Sequence, residues 1–342
     1  MFHGENSMAW LAGSMVFTAI LALLAIRLSR RFGLLDHPQG RKQHGRPTPL
    51  CGGLVLWSVL SILSLLGKLD LGLSLWDWLA LHAMALVGLL DDRFGFRART
   101  KGVIGLAAAA MLALTHGVAL LQLGGTYPLF GMGLPNAVYT TFPLLLLWFW
   151  FLPQAINLMD GINGLVIGFS LLVLWFLGAP GILLISLGAL LLFNYPRARL
   201  FLGDCGALLL GTLLAILTVK ARLPQNPNGF FVLFIYPMVD VSLVVFSRWR
   251  SRRPLGVGDR GHLHHRMTDL LGGCSWMATP SLLLIAFGLR ILLELGYGDD
   301  LEMRRLGVSL FICFVVILAR RSGSGARLQG TFGPRVNNAS MR

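Results

Sequence analysis

Long apolar runs separated by short polar segments dominate this sequence of 342 residues. A helix needs about 20 predominantly apolar residues, with a range of roughly 17–25, to cross the hydrocarbon core of a bilayer. Runs that approach this length occur about eleven times, at 8–26, 51–67, 74–90, 102–122, 137–156, 162–178, 180–194, 205–219, 229–247, 277–295 and 304–319. The seventh and eighth runs are short, and only Ala179 and Pro180 separate the sixth from the seventh, so ten spans remain an alternative. The pattern predicts an all-α, polytopic integral membrane protein.

The composition excludes an ordinary soluble domain. Hydrophobic residues make up 55% of the chain and charged residues only 13%, whereas soluble domains carry about 25% charged residues. The net charge of +14 would suit a nucleic-acid partner in a soluble protein. In a membrane protein, the Lys and Arg that collect in cytoplasmic loops explain this charge, so no nucleic acid is expected as a partner. The four cysteines have no metal-ligand spacing and are interpreted as packing residues.

The distribution of basic residues predicts the orientation of the spans. Lys and Arg concentrate after the first, third, seventh and ninth runs and in the C-terminal tail. The loops on the opposite side contain only Lys68, Lys220, Arg222, Arg304 and Arg305. By the positive-inside rule, the N-terminus lies outside and the C-terminus lies in the cytoplasm. Residues 1–321 are predicted to form a single transmembrane domain, and the Gly/Ser/Arg-rich residues 322–342 a disordered cytoplasmic tail.

Carboxylates gather on the face that is predicted to be cytoplasmic. Asp91 and Asp92 end the third apolar run, Asp160 follows the fifth, and Asp204 precedes the eighth. A cluster of carboxylates suits a hard divalent cation such as Mg²⁺, and the surrounding Arg and Lys suit phosphate groups. Together they indicate pyrophosphate chemistry at a membrane surface.

The segment 157–165 is the strongest single candidate for a polar site. Asp160 and Asn163 can bind a polar ligand, while Gly161 and Gly164 allow a close approach of the backbone. The alternative interpretation is a short polar turn that only joins two membrane helices.

Two other acidic motifs have structural alternatives. Asp91 and Asp92 could be solvated charges at a helix C-terminus, but acids at that end oppose the helix dipole, which favours a functional role. Asp204 could be a helix N-cap. A cap would not explain Phe201 or the glycines that flank Asp204.

Histidines define a last polar segment. His262, His264 and His265 lie beside Arg260 and Arg266. A zinc site is the alternative, but no Cys or acidic residue is spaced along the sequence to complete it. The segment is therefore interpreted as an anion-binding surface. The isolated residues His82 and His116 lie in apolar runs and are interpreted as structural.

In their order along the chain, these motifs resemble the polyprenyl-phosphate N-acetylhexosamine-1-phosphate transferases, the MraY/WecA family of membrane enzymes (glycosyltransferase family 4). The resemblance extends from about Asp36 to Arg266. The matching residues are Arg41, Lys42, His44, Pro47, Thr48, Pro49, Gly52, Gly53, Leu54, Asp91, Asp92, Lys101, Asn157, Asp160, Gly161, Asn163, Gly164, Leu165, Phe201, Leu202, Gly203, Asp204, Gly206, Pro237, Asp240, Asp259, Arg260, His262, His264 and His265. Leu50 and Ala207 depart from the residues that are common in the family at those positions.

The histidine pattern is similar to that of the WecA/WbpL branch. The branch that forms lipid I usually has three adjacent histidines, and an Asp where this chain has Asn163. A lipid I-forming phospho-MurNAc-pentapeptide transferase remains the alternative within the family. A secondary transporter is the alternative of a different class, although transporters place ionisable groups near the bilayer midplane and often carry internal repeats.

The resemblance implies a Mg²⁺-dependent phosphotransferase of the bacterial cytoplasmic (inner) membrane, for which Mn²⁺ is an alternative ion. It would transfer an N-acetylamino-sugar-1-phosphate from a UDP-sugar to undecaprenyl phosphate and release UMP. This reaction would initiate the synthesis of O-antigen or of another surface polysaccharide. The implied partners are the UDP-N-acetylamino sugar, undecaprenyl phosphate and the lipid bilayer, and homodimer formation is left open.

The resemblance also implies roles for individual residues. Asp204 and Asp160 would bind the metal ion, Asp91 would be the base or nucleophile, and Asp92 would support it. His264 and His265 complete the expected catalytic set. The expected substrate-binding residues are Lys101, Asn157, Asp160, Asn163, Phe201, Arg260 and His262.

Overall fold

The computed structural model describes residues 7–38, 46–122, 126–129, 132–221, 233–252 and 261–297. Eleven helices lie in this described part of the chain. They are α1 (Met8–Phe32), α2 (Gly52–Leu65), α3 (Leu75–Phe94), α4 (Ala98–Leu121), α5 (Val138–Met159), α6 (Leu165–Phe176), α7 (Gly181–Asn194), α8 (Gly203–Lys220), α9 (Ile235–Arg250), α10 (Leu263–Leu270) and α11 (Ser275–Tyr297). Each of the first ten predicted spans overlaps one helix. The eleventh predicted span, 304–319, and the predicted tail lie outside the described residues.

Length and apolar composition identify the helices that can cross a membrane. Four described helices are long and apolar enough: Met8–Phe32, Arg99–Leu121, Val138–Met159 and Gly203–Lys220. Four shorter apolar helices accompany them: Gly52–Leu65, Leu165–Phe176, Gly181–Asn194 and Ser275–Gly288. The chain is therefore a mainly helical membrane protein, as the apolar runs predict. The count of eleven spans and their orientation stay predictions.

The prediction of an all-α fold misses two short antiparallel strand pairs. β1 (Leu35–Asp36) pairs with β2 (Thr48–Pro49), and β3 (Thr126–Leu129) pairs with β4 (Met132–Pro135). Strands of two to four residues are too short to show the period-two alternation by which a strand is recognised in a sequence. The β1–β2 pair places the Thr48–Pro49 motif beside the end of α1.

Local sequence signals set the bounds of α3, the helix that ends with the paired acids. Ser74 and Asp77 form a capping box: the Ser74 Oγ accepts from the Asp77 N–H at 3.2 Å, and the Asp77 carboxylate accepts from the Ser74 N–H at 2.8 Å. At the other end, Gly95 adopts a left-handed conformation with φ of 67° and ends the helix.

Helix α8 is the central element of the fold. Every residue from Gly203 to Val219 is buried except Asp204, which fits a helix that is apolar on all sides. The backbone of α3 approaches α8 closely at Gly88, where an added Cβ would lie 2.4 Å from the Asp204 carbonyl oxygen. This approach places the C-terminal end of α3 against the N-terminal end of α8, and thus brings their acids together.

Candidate active site

Lys101 joins the acids of α3 and α8. Its Nζ lies 2.5 Å from the Asp91 Oδ2 and 2.5 Å from the Asp204 Oδ2. Asp91 also accepts a hydrogen bond of 2.5 Å from the Phe96 N–H, which fixes the turn between α3 and α4. Asp91, Lys101 and Asp204, with Asp92 beside them, are candidate catalytic residues and are called the catalytic cluster below. The structure thus gathers four predicted site residues from three helices.

Asp92 contacts the N-terminus of α8. Its two carboxylate oxygens accept from the backbone N–H groups of Asp204, at 2.9 Å, and of Cys205, at 3.1 Å. A negative charge at the N-terminus of a helix interacts favourably with its dipole and satisfies donors that have no partner within the helix. Asp92 therefore caps α8, and the Asp204 side chain is not the cap that one interpretation of the sequence suggested. The Asp204 carboxylate instead joins the catalytic cluster.

Asn157 and Asp160 extend the cluster from the C-terminal end of α5. The Asn157 Nδ2 donates to the Asp204 Oδ2 at 3.4 Å. Loss of water around Asp160, together with the negative charges of Asp204 and Asp92, raises the pKa of Asp160 to about 8. A carboxylate in this environment favours the approach of a positive charge. Asn157 therefore contacts Asp204, and Asp160 lies close enough to Asp204 for the two charges to interact.

The Thr48–Pro49 motif lies against the start of α8. The Phe201 N–H donates to the Pro49 carbonyl at 2.8 Å, and the Gly52 N–H donates to the Phe201 carbonyl at 2.9 Å. Phe201 is half-buried at this junction and close in sequence to Asp204. Two motifs that are about 150 residues apart in the sequence therefore form one surface next to the catalytic cluster.

Asn163 faces the loop after α7. Its side-chain Nδ2 donates to the Pro196 carbonyl at 3.1 Å, and its backbone carbonyl accepts from the Thr279 hydroxyl at 2.7 Å. Asn194, which the sequence analysis did not select, accepts from the Gly164 N–H at 2.6 Å and donates to the Leu200 carbonyl at 3.0 Å. These amides connect the 157–165 segment to the segment that leads into α8. The only sequence signal for Asn194 is a single amide at the end of an apolar run.

The histidine segment forms the start of α10 and is anchored to α9 by Asp240. The His262 Nδ1 lies 2.8 Å from the Asp240 Oδ2, and the Leu263 N–H donates to the Asp240 Oδ1 at 2.6 Å. Asp240 and His262 are both buried. Asp240 therefore fixes the N-terminus of α10 as well as the orientation of the His262 ring.

His264 packs on the turn after α5. A Cβ added at Gly161 would lie 2.1 Å from the His264 Nε2, so the ring occupies the space beside this glycine. His264 is 1% exposed, and its Nδ1 has no hydrogen-bond partner among the described residues. Burial lowers the pKa of His264 to about 3, which keeps the imidazole neutral. In this arrangement His264 supports the Asp160 turn, whereas the neighbouring His265 is half-buried and its ring centroid lies 4.3 Å from that of His264.

Two groups of side chains bear on metal binding. The carboxylates of Asp91 and Asp204 both contact the Lys101 ammonium, which shows that a positive charge is favoured between them, and carboxylate oxygens are ligands that suit Mg²⁺. The ligand atoms of Asp240, His262 and His264 lie within 4.8 Å of one another. The expectation that no acidic residue accompanies these histidines is therefore wrong, because Asp240 comes from the preceding helix. Its oxygens already accept two hydrogen bonds, so this group is best explained as a positioning network.

Of the predicted site residues, only Arg260 lies outside the described residues. The matching motif residues Arg41, Lys42, His44 and Asp259 also lie outside them. The other predicted residues come from α3, α4, α5, α8, α10 and the loops at one end of these helices. The arrangement combines carboxylates, one ammonium and an apolar surround, and is suited to binding and transferring phosphate groups with a cation.

Comparisons with known proteins identify the family of this chain. The family described as Glycosyl transferase family 4 matches residues 74–222. The chain is 30% identical to the decaprenyl-phosphate N-acetylglucosaminephosphotransferase of Mycobacterium leprae, over 74% of this chain and 73% of that protein. It is 27% identical to the probable undecaprenyl-phosphate N-acetylglucosaminyl 1-phosphate transferase of Bacillus subtilis, over 89% of this chain and 87% of that protein. A Thermotoga maritima undecaprenyl-phosphate alpha-N-acetylglucosaminyl 1-phosphate transferase is 28% identical over 81% of this chain and 84% of its own length. The chain belongs to the polyprenyl-phosphate N-acetylhexosamine-1-phosphate transferases, as its motifs predict.

Proposed function

We propose that this protein transfers N-acetylglucosamine 1-phosphate from UDP-N-acetylglucosamine to undecaprenyl phosphate. The products are undecaprenyl-diphospho-N-acetylglucosamine and UMP. The observation that carries the proposal is the catalytic cluster, in which Lys101 lies 2.5 Å from both Asp91 and Asp204 at the ends of three different helices. The relatives named above support the choice of sugar, since all three names contain N-acetylglucosamine.

The reaction joins two substrates that are both negatively charged and therefore repel each other. The cluster contains a positive charge that offsets this repulsion. An oxygen of the lipid phosphate forms a bond to the phosphorus next to the sugar, and the bond from that phosphorus to UMP breaks. Lys101 supplies a fixed positive charge for the phosphate groups. Asp91, held by Lys101 and by the Phe96 N–H, is the candidate base or nucleophile, and Asp92 keeps α8 in place beside it.

The oxygen ligands of the cluster fit a divalent cation. Asp204 and Asp160 would hold Mg²⁺, and Asn157 would orient the Asp204 carboxylate. When bound, the ion would neutralise the donor diphosphate and stabilise the departing UMP. Mn²⁺ has the same ligand preference and is the alternative ion.

The same proposal places the enzyme in the bacterial cytoplasmic membrane as a multi-pass protein with its site on the cytoplasmic face. The four long apolar helices and the excess of Lys and Arg in alternate loops support this placement. The lipid carrier then reaches the site laterally from the bilayer, and the nucleotide sugar reaches it from the cytosol. The product would be the first lipid-linked intermediate of a surface polysaccharide.

The proposal is tested with purified protein, undecaprenyl phosphate and a panel of UDP-sugars that includes UDP-MurNAc-pentapeptide. We expect UMP release that requires UDP-N-acetylglucosamine and a divalent cation. Asp204→Asn keeps the size of the side chain but removes its charge, so it should reduce turnover by about 100-fold or more. Asp70→Asn is the matched control, because Asp70 is exposed and, among the described residues, accepts only from the Gly72 N–H. Release of UMP only from the pentapeptide donor, or full activity of Asp204→Asn, would contradict the proposal.

A further inference from the structure

A second polar cluster lies at the far end of α3 from the catalytic cluster. Asp77 is 0% exposed, and a buried carboxylate is costly unless its oxygens are paired. Its Oδ1 lies 2.7 Å from the His116 Nε2, and its Oδ2 lies 3.8 Å from the Lys220 Nζ. Lys220 also donates to the Gly72 carbonyl, in the loop that precedes α3. Asp77, His116 and Lys220 are called the distal cluster below.

The two clusters draw on the same three helices. Helix α3 carries Asp77 near its start and Asp91 near its end, and α4 carries Lys101 near its start and His116 near its end. Helix α8 carries Asp204 in its first turn and Lys220 in its last. Each of these helices therefore carries at least one charged or titratable side chain of a cluster at each of its two ends.

The spacing between the clusters is matched along the three helices. Asp77 and Asp91 are 14 residues apart, Lys101 and His116 are 15 apart, and Asp204 and Lys220 are 16 apart. At 1.5 Å per residue, these separations are roughly 21–24 Å. Because helices of this length behave as stiff rods, a slide of one helix would disturb both clusters.

Apolar packing does not by itself fix the axial position of a helix. A row of similar apolar side chains can pack in more than one register, whereas a buried polar group has only one position in which its partners are satisfied. Along α3 and α8, the positions between the clusters are mainly apolar. The distal cluster thus supplies a second, polar constraint on the register, at the opposite end of α3 and α8 from the close approach of Gly88 to Asp204.

We propose that Asp77, His116 and Lys220 are positioning residues that set the axial register of α3, α4 and α8, so that Lys101 reaches both Asp91 and Asp204. The distal cluster touches neither substrate nor the reacting atoms. It acts on the reaction only through the placement of the catalytic cluster. This inference deepens the proposed function, because its catalytic readout is the proposed transfer of sugar phosphate.

The test compares two variants of the distal cluster with a matched control. Asp77→Asn keeps the shape of the side chain and removes its charge, and Lys220→Met removes the positive charge from a half-exposed position. The control is again Asp70→Asn, which removes a carboxylate from the loop beside the distal cluster. We expect Asp77→Asn to lower turnover by about 100-fold, since a displacement of about 1 Å can have this effect on a reacting geometry. Lys220→Met should lower it less, and the control should match the wild type.

A distance measurement separates positioning from general stability. Spin labels on unnatural amino acids at Phe94 in α3 and Val103 in α4, both strongly exposed, report the relative position of the two helix ends. The labelled parent must first retain wild-type turnover. In Asp77→Asn and Lys220→Met we expect the distance distribution to widen, towards a population displaced by up to about 5 Å, one helical turn. Asp70→Asn should leave the distribution unchanged.

The outcomes are distinct. An unchanged distance distribution in both variants of the distal cluster would overturn the proposal, whatever their activity. Unchanged turnover in both would overturn it as well. If Asp77→Asn fails to fold, the distance distribution and the turnover of Lys220→Met alone decide whether the proposal stands. If the wild type transfers no sugar phosphate at all, the proposed function fails, while the spin-label distances still show whether the distal cluster sets the register.

Discussion

At the scale of the residue, the adjacent acids Asp91 and Asp92 have different partners. Successive residues of a helix point about 100° apart, so only one of the two can face Lys101 while the other meets the start of α8. The sequence predicts both acids as site residues, because acids at a helix C-terminus oppose the dipole. It does not predict that Asp92 caps another helix, since its partner Asp204 is 112 residues away in the chain.

Gly161 offers a direct test of the contact with His264. Gly161→Ala would place a methyl group 2.1 Å from the His264 Nε2, and this buried ring has little room to move. We expect a lower melting temperature and a loss of transfer activity, because the Asp160 turn must shift. Overpacking of this kind typically costs about 1–3 kcal/mol of the free energy of unfolding. Both quantities can be measured in detergent by thermal unfolding and by UMP release.

Gly188→Ala is the control for this substitution. Gly188 lies within α7, and an added Cβ would meet no atom within 4 Å. Alanine is the better helix former, so this variant should keep its activity and its melting temperature, or gain slightly in stability. If Gly161→Ala and Gly188→Ala had the same melting temperature and the same activity, the close contact between His264 and Gly161 would be contradicted.

At the scale of the element, the apolar runs predict most of the helices but not how their ends are joined. Ten of the runs overlap helices, because the length and apolar pattern of a single stretch can be read directly from the sequence. The short helix α10 and the two strand pairs were missed. Helix α10 depends on Asp240, 22 residues before His262, and no periodic pattern records that distant hydrogen bond.

Asp240→Asn tests how α10 is held against α9. The amide keeps the size of the side chain but loses the charge that accepts from His262 and from the Leu263 N–H. A hydrogen bond to a charged group is worth about 1.5–3 kcal/mol, so we expect a destabilised variant with weakened transfer activity. Ser242→Ala on the same helix is the control, since its exposed hydroxyl bonds to the Met238 carbonyl within α9 and to no other part of the chain that the structure describes. Thermal unfolding and UMP release at varied UDP-N-acetylglucosamine would measure both effects, and a variant with wild-type stability would argue against this role.

At the scale of the whole molecule, the distribution of charge predicts the orientation in the membrane. Single cysteines near positions 43, 98, 198 and 257 should be protected from a membrane-impermeant thiol reagent in intact cells, because these positions lie on the side that is predicted to be cytoplasmic. Asp70→Cys lies in the loop between α2 and α3, on the side that is predicted to be outside, and should react with the reagent. Labelling at two or more of the four protected positions without lysis would overturn the orientation.

The central position of α8 has a consequence for biogenesis. The helices against which α8 packs most closely, α2, α3, α5 and α6, all precede it in the chain. Since a chain is synthesised from its N-terminus, these helices leave the ribosome before α8 does. The pocket that receives α8 can therefore be assembled in advance, and the first turn of α8 brings Asp204 to acids that have already been synthesised. The histidine segment at α10, which is synthesised later, would then join a site whose most buried helix is already in place.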